Sequence, residues 1–191
     1  MNDLMDDDDK MMNKKTKSSG ESNTPVLDNF SRDLIKLAEA GKLDHVIGRD
    51  REILRIAQIL SRRKKNNPII LGEPGCGKTA LVESLAQAIV KGEASDLLSL
   101  KQIYSLDIPM MIAGCKFRGE FEEKIKNLLK EITDDPYIIL FIDEIHTIIG
   151  AGNPENGNDM ANILKPYLAR GEISCIGATT FDEYKKTISE L

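Results

Sequence analysis

The apolar run Pro68-Ile69-Ile70-Leu71 passes without a polar break into Gly72-Glu73-Pro74-Gly75-Cys76-Gly77-Lys78-Thr79, after which Ala80-Leu81-Val82 resumes apolar residues. That order is strand, glycine-rich turn, helix, with the GxxxxGK[ST] spacing of a phosphate-binding loop. The constraint on the fold is strong. Such a short apolar strand belongs inside a sheet covered on both faces, with the turn leaving at its C-terminal end where a helix can begin. Glycines let the backbone curl so that its N–H groups converge on an anion at the positive end of the helix dipole. Residues Gly72, Glu73, Pro74, Gly75, Cys76, Gly77 and Ala80 are the expected surround of the phosphates. Lys78 is expected to reach the terminal phosphates and the Thr79 hydroxyl to ligate Mg2+. A glycine turn with a chance lysine is the plainer reading, and the flanking elements weigh against it.

A second motif weighs further against it. Tyr137-Ile138-Ile139-Leu140-Phe141-Ile142 is a continuous apolar run that ends in Asp143-Glu144. It reads as a parallel strand buried on both faces, with two carboxylates at the edge where open α/β sheets place ligands. Asp143 is the candidate magnesium ligand, and Glu144 the candidate base that orients and polarises an attacking water. An acidic pair at a helix start is common for dipole reasons alone. With a phosphate loop earlier in the chain, the catalytic reading is the stronger one.

Composition narrows the class. At 191 residues the chain holds one sizeable core and not two. It has no apolar run long enough for a bilayer and no secretory segment, so neither membrane association nor secretion is expected. Cys76, Cys115 and Cys175 lack metal-ligand spacing and point to a reducing compartment, cytoplasm or organelle matrix. A net charge of −5 gives no support for nucleic-acid binding. Asp6-Asp7-Asp8-Asp9-Lys10 has the form of a protease-cleavable tag, and the polar residues after it resemble a linker. Residues 1–24 are therefore set apart, and 25–191 are read as the domain.

Along that domain a helix is expected from Asn29-Phe30-Ser31, with Leu34, Leu37 and Ala38 on one face before Gly41. A second, with Ile53, Ile56, Ala57 and Leu60, runs from Asp50 to the basic cluster Arg62-Arg63-Lys64-Lys65. The helix after the phosphate loop extends to about Lys91. A strand follows at Gln102–Asp107, then a glycine-bounded loop, Gly114–Gly119, and a helix from Glu120. A polar loop at 150–158 precedes a helix from Asp159 to Arg170, which Pro166 should kink or cut. Ile173–Ala178 is the last strand. Alternating strands and helices give a three-layer α/β domain, a parallel sheet of roughly four strands with helices on both faces.

These residues resemble the first AAA+ ATPase module of the Clp/heat-shock-100 unfoldases. The strings that carry the likeness are Arg63-Lys64-Lys65-Asn66-Asn67-Pro68, Lys116-Phe117-Arg118-Gly119-Glu120-Phe121-Glu122, Phe141-Ile142-Asp143-Glu144-Ile145-His146-Thr147, Leu164-Lys165-Pro166 and Gly177-Ala178-Thr179-Thr180-Phe181-Asp182-Glu183-Tyr184. The resemblance implies ATP or ADP with Mg2+ as cofactors and a homo-hexamer that threads unfolded or aggregated polypeptides through a central pore. A chaperone or protease partner is also implied. By the same likeness Val46 and Ile47 would line the adenine pocket, Glu144 and Lys78 would serve hydrolysis, and Thr180 would be the sensor hydroxyl near the γ-phosphate. Ordinary packing for Val46 and Ile47, and a helix cap for Thr180, are the plainer alternatives. Lys116, Phe117, Arg118 and Gly119 would form the pore loop that grips substrate, with Phe where the family usually has Tyr. A nucleic-acid-remodelling AAA+ ATPase is the competing class, since a basic–aromatic loop can also stack on single strands. The family's arginine finger, fifth sheet strand and small helical subdomain are expected beyond Leu191. Without them the resemblance implies slow turnover, weak association and a phosphate-loop strand left at a sheet edge.

Overall fold

The computed structural model describes residues 23–150 and 160–188. The tag-like segment and most of the polar loop after Gly150 lie outside those residues.

The sheet is organised around β4 (Ile138–Ile142), which is buried at every position. Side chains alternate across a strand, so Ile138, Leu140 and Ile142 enter one core while Ile139 and Phe141 enter the other. Parallel to β4 lie β3 (Gln102–Leu106) on one side and β5 (Ser174–Thr179) on the other. Beyond β5 comes β2 (Ile69–Leu71), also parallel. Among the described residues β2 pairs with β5 alone and so stands at the edge of the sheet. The opposite edge is β1 (Ser31–Asp33), antiparallel to β3.

Helices cover both faces. α1 (Pro25–Phe30), α5 (Ile108–Ala113), α6 (Arg118–Asp134), α7 (His146–Gly150) and α8 (Met160–Arg170) enclose the first core. α2 (Leu34–Glu39), α3 (Asp50–Leu60) and α4 (Lys78–Val90) enclose the second. No helix among the described residues is long and apolar enough to cross a membrane.

Two expectations change. The sheet has five strands rather than about four, because the helix expected from Asn29 is split by β1. Phe30 ends α1, three residues run extended against β3, and the Asp33 carboxylate then caps α2 by accepting the Lys36 N–H at 3.1 Å. Helical spacing holds from Leu34 onward, as read. Of the kink or end expected at Pro166, the end does not occur, since α8 continues to Arg170.

Side chains complete what the backbone leaves open. Glu131 of α6 accepts the Val26 and Leu27 N–H groups at 2.8 and 3.0 Å, clasping the start of α1 where no helical acceptor exists. Asn67, just before β2, accepts from the Cys175 N–H at 2.8 Å and donates to the Leu168 carbonyl at 3.3 Å. That side chain ties the approach of β2 to β5 and α8.

Candidate nucleotide site

The loop after β2 takes the shape its glycines allow. Gly75 and Gly77 have φ of 75° and 85°, a left-handed conformation that costs glycine little. Gly72 answers a different demand: a Cβ there would lie 2.5 Å from the Cys76 sulfur, which would have to turn to another rotamer. Gly77 opens α4, whose first N–H groups have no helical acceptors and face the turn. Lys78 Nζ donates to the Gly72 and Glu73 carbonyls, both at 3.0 Å, which parks the ammonium over the mouth of the loop.

The Thr79 hydroxyl donates to Asp143 Oδ2 at the end of β4, joining the two motifs across the sheet edge. Asp143 Oδ1 accepts the Glu144 N–H at 2.9 Å. Glu144 itself has φ 49°, a left-handed conformation that strains a non-glycine residue. The turn is fixed from the far side: Ile145 N–H donates to the Ala178 carbonyl at 2.9 Å, and His146 Nδ1 meets the buried Thr179 hydroxyl at 2.9 Å. The Glu144 carboxylate remains exposed. Thr180 Oγ1 accepts the Glu183 N–H at 3.2 Å, so it does cap the short helix α9 (Phe181–Glu183). It also borders the cleft.

Pro74, Lys78, Thr79, Asp143, Glu144 and Thr180 line one cleft of ≈ 450 Å³. Mg2+ prefers hard oxygen donors and binds through one or two protein oxygens with phosphates and water completing its shell. The Thr79 hydroxyl and Asp143 carboxylate, in contact beside an anion-binding turn, fit that requirement. Among the described residues no cluster of three His, Cys, Asp or Glu could hold a metal alone.

Val46 borders a separate groove of ≈ 600 Å³ between α3 and α4, and neither Val46 nor Ile47 lines the phosphate cleft. Ile47 is 85% exposed. The loop carrying them is fastened by Gln87, whose Nε2 donates to the Leu43 and Asp44 carbonyls at 3.2 and 3.0 Å. Sequence reasoning missed Arg49, whose Nη2 donates to the Cys76 carbonyl at 2.8 Å. Its place just after Val46-Ile47-Gly48 was the available signal.

The aromatic loop between α5 and α6 is a second exposed feature. Phe117 is 72% exposed. Glu120 accepts the Lys116 N–H at 2.8 Å, and Lys124 Nζ donates to the Gly114 carbonyl at 2.9 Å, so the base of the loop is anchored. Arg118 and Gly119 belong to the first turn of α6, which starts before the expected Glu120.

A profile of the ATPase family associated with various cellular activities (AAA) matches residues 68–189. The chain belongs to the AAA ATPase family. Membership makes this AAA module a nucleotide-binding one. It is 55% identical over 180 residues to the ATP-dependent Clp protease ATP-binding subunit ClpC of Staphylococcus aureus, covering 94% of this chain. The corresponding Staphylococcus epidermidis protein is 54% identical over the same length. The chain spans 22% of the length of these curated relatives. Among solved structures, a closed-state reconstruction of Hsp104 with ATPγS and FITC casein matches with TM-score 0.77 and 44% identity over 86% of this chain and 29% of that one. An ADP complex of Hsp104 from S. cerevisiae matches with TM-score 0.77 and 45% identity, over 86% of this chain and 28% of that one.

Proposed function

We propose that this AAA module binds and hydrolyses Mg-ATP, and that it works in a hexameric unfoldase or disaggregase that threads polypeptide through a central channel. The observation that carries the reading is the meeting of Thr79 with Asp143 in a cleft shared with Lys78 and Glu144. The likeness to ClpC and Hsp104 supports the wider role.

The α4 N-terminus and loop amides receive the phosphates, and Lys78 leaves its two carbonyls to meet them. Asp143 and Thr79 hold the metal, which when bound supplies charge neutralisation across the terminal phosphates. Glu144, held by its strained backbone at the rim, orients water and accepts its proton. Thr180 presents a hydroxyl near the same point. Phe117, a bulky ring on an anchored loop, supplies a contact without sequence preference for an extended chain. A reducing, cytoplasmic setting suits free and separated cysteines.

Calorimetric titration with Mg-ATP tests the nucleotide part. Lys78→Ala should lose binding, while Glu144→Gln should keep affinity and lower phosphate release by roughly two orders of magnitude or more. Equal binding by the unaltered chain and Lys78→Ala would overturn the site. In the full-length assembly, Phe117→Ala should impair processing of fluorescent casein. An effect confined to a labelled single-stranded oligonucleotide would overturn the polypeptide role.

A further inference from the structure

Arg49 lies outside the cleft, yet it grips one of the loop's own peptides. Nη2 donates to the Cys76 carbonyl at 2.8 Å, while Nη1 pairs with Glu52 at 3.1 Å. The same Nη2 lies 3.9 Å from where a Cβ on Gly77 would stand. The guanidinium therefore faces the outer side of the Cys76–Gly77 peptide. Glu52 is placed to steady it, since its own backbone N–H and then Arg49 keep its carboxyl below the ordinary range.

A trans peptide is planar, with C=O and N–H pointing in opposite directions. With the Cys76 oxygen pinned outward, the Gly77 N–H is turned inward, toward the cleft that Gly77 lines. Nothing in the loop itself secures this choice. Gly77 tolerates either sign of φ, so rotation of that one peptide would cost little and would present an oxygen to an incoming phosphate. A cation on the carbonyl also polarises the amide and strengthens its N–H as a donor.

We infer that Arg49 is a positioning residue for the phosphate cradle, locking the Cys76–Gly77 peptide with its N–H toward the anion. It thereby sets affinity for the phosphate chain and not for the base. This rests on the reading above that the loop takes the phosphates. A purely structural role is a poor account of the contact, because Arg49 and Glu52 side chains are 39% and 45% exposed. Exposed pairs contribute little to stability.

The test is titration of the chain with Mg-ADP and, separately, with Mg-pyrophosphate, which has no base. Arg49→Ala should weaken both ligands by the same factor, roughly tenfold for a lost charge-assisted hydrogen bond. The thermal midpoint of the unliganded protein should stay within about 2 °C, given the small stability of exposed pairs. Arg49→Lys should recover part of the affinity. In amide NMR of the unliganded chain the Gly77 cross-peak should move in Arg49→Ala. Weakening of Mg-ADP alone would place Arg49 on the base side and overturn the inference. So would unchanged binding in Arg49→Ala beside lost binding in Lys78→Ala. If Lys78→Ala also binds as the unaltered chain does, the loop reading itself fails. Should Arg49→Ala not fold, Glu52→Gln and Arg49→Lys decide: equal weakening of both ligands supports the lock, and weakening of neither overturns it.

Discussion

Gly177→Ala places one methyl group at the centre of the sheet, behind the turn that carries Glu144. Gly177 is buried on β5, in register with Ile142 on one side and Ile69 on the other. A Cβ there would stand 2.8 Å from Ile145 Cδ1, 3.3 Å from its Cγ2 and 3.5 Å from its Cβ. The Cδ1 methyl is the nearer clash, and Ile145 is buried in the first core, so turning it aside is costly. Cγ2 moves only with χ1, which branching at Cβ restricts, and the Ile145 backbone is bound to Ala178. Overpacking of a dense core costs about 1–3 kcal/mol, while alanine recovers about 0.5–1 kcal/mol over glycine in a strand. At mid-range the net loss is about 1 kcal/mol, or a drop of about 2–4 °C in Tm for a domain of this size. Urea and thermal melts measure it. Because Ile145 adjoins Glu144, ATP turnover should fall more than ATP affinity. Ile145→Val removes Cδ1 and should offset part of the cost, so the two substitutions together should be less damaging than their sum by about 1 kcal/mol. An unchanged melt for Gly177→Ala, or strict additivity in the pair, would refute the steric account.

Thiol chemistry should divide the cysteines. Cys76 is exposed, whereas burial pushes the Cys175 thiol up to about 12, so mass spectrometry after iodoacetamide at pH 8 should find Cys76 modified and Cys175 intact until the chain is unfolded. Glu131→Ala strips two N–H groups of their acceptor and should cost about 1–3 kcal/mol in urea melts, with Mg-ADP affinity unchanged. Burial, then the charges of Asp33, Asp28 and Asp135, push the Tyr104 hydroxyl from 10 up to about 12. A raised folded value means the contribution is complete below pH 10 and is lost as pH rises toward 12. Thermal melts of Tyr104→Phe should therefore decline less steeply than the unaltered chain across that window.

The parts of the site that follow from local pattern were legible in the sequence. The glycine turn, the wholly apolar β4 and the acids at its end announce themselves through spacing, and the structure brings Thr79 to Asp143 as expected. β1 was not legible, because three residues are too few for alternation to emerge beside the helical spacing that follows. Arg49 had only its place after Val46-Ile47-Gly48 as a signal, since its contact with Cys76 joins segments brought together by the fold. The paired methionines split their roles: Met111 is fully buried in the core and Met110 is 53% exposed. Which of two adjacent residues faces inward depends on where α5 starts, a boundary that Asp107 sets by accepting the Met110 N–H at 2.8 Å. Thr180 was read both as a sensor and as a cap, and its hydroxyl makes the capping bond while bordering the cleft.

α6 joins two features that are far apart in the chain. Phe117 stands at one tip, and some 20 Å along the axis, at 1.5 Å per residue, Glu131 grips the amides of Val26 and Leu27. A hydrogen-bonded helix hardly stretches, so it behaves as a strut. A pull applied at the aromatic tip arrives at the clasp, and through it at whatever chain leads into Pro25.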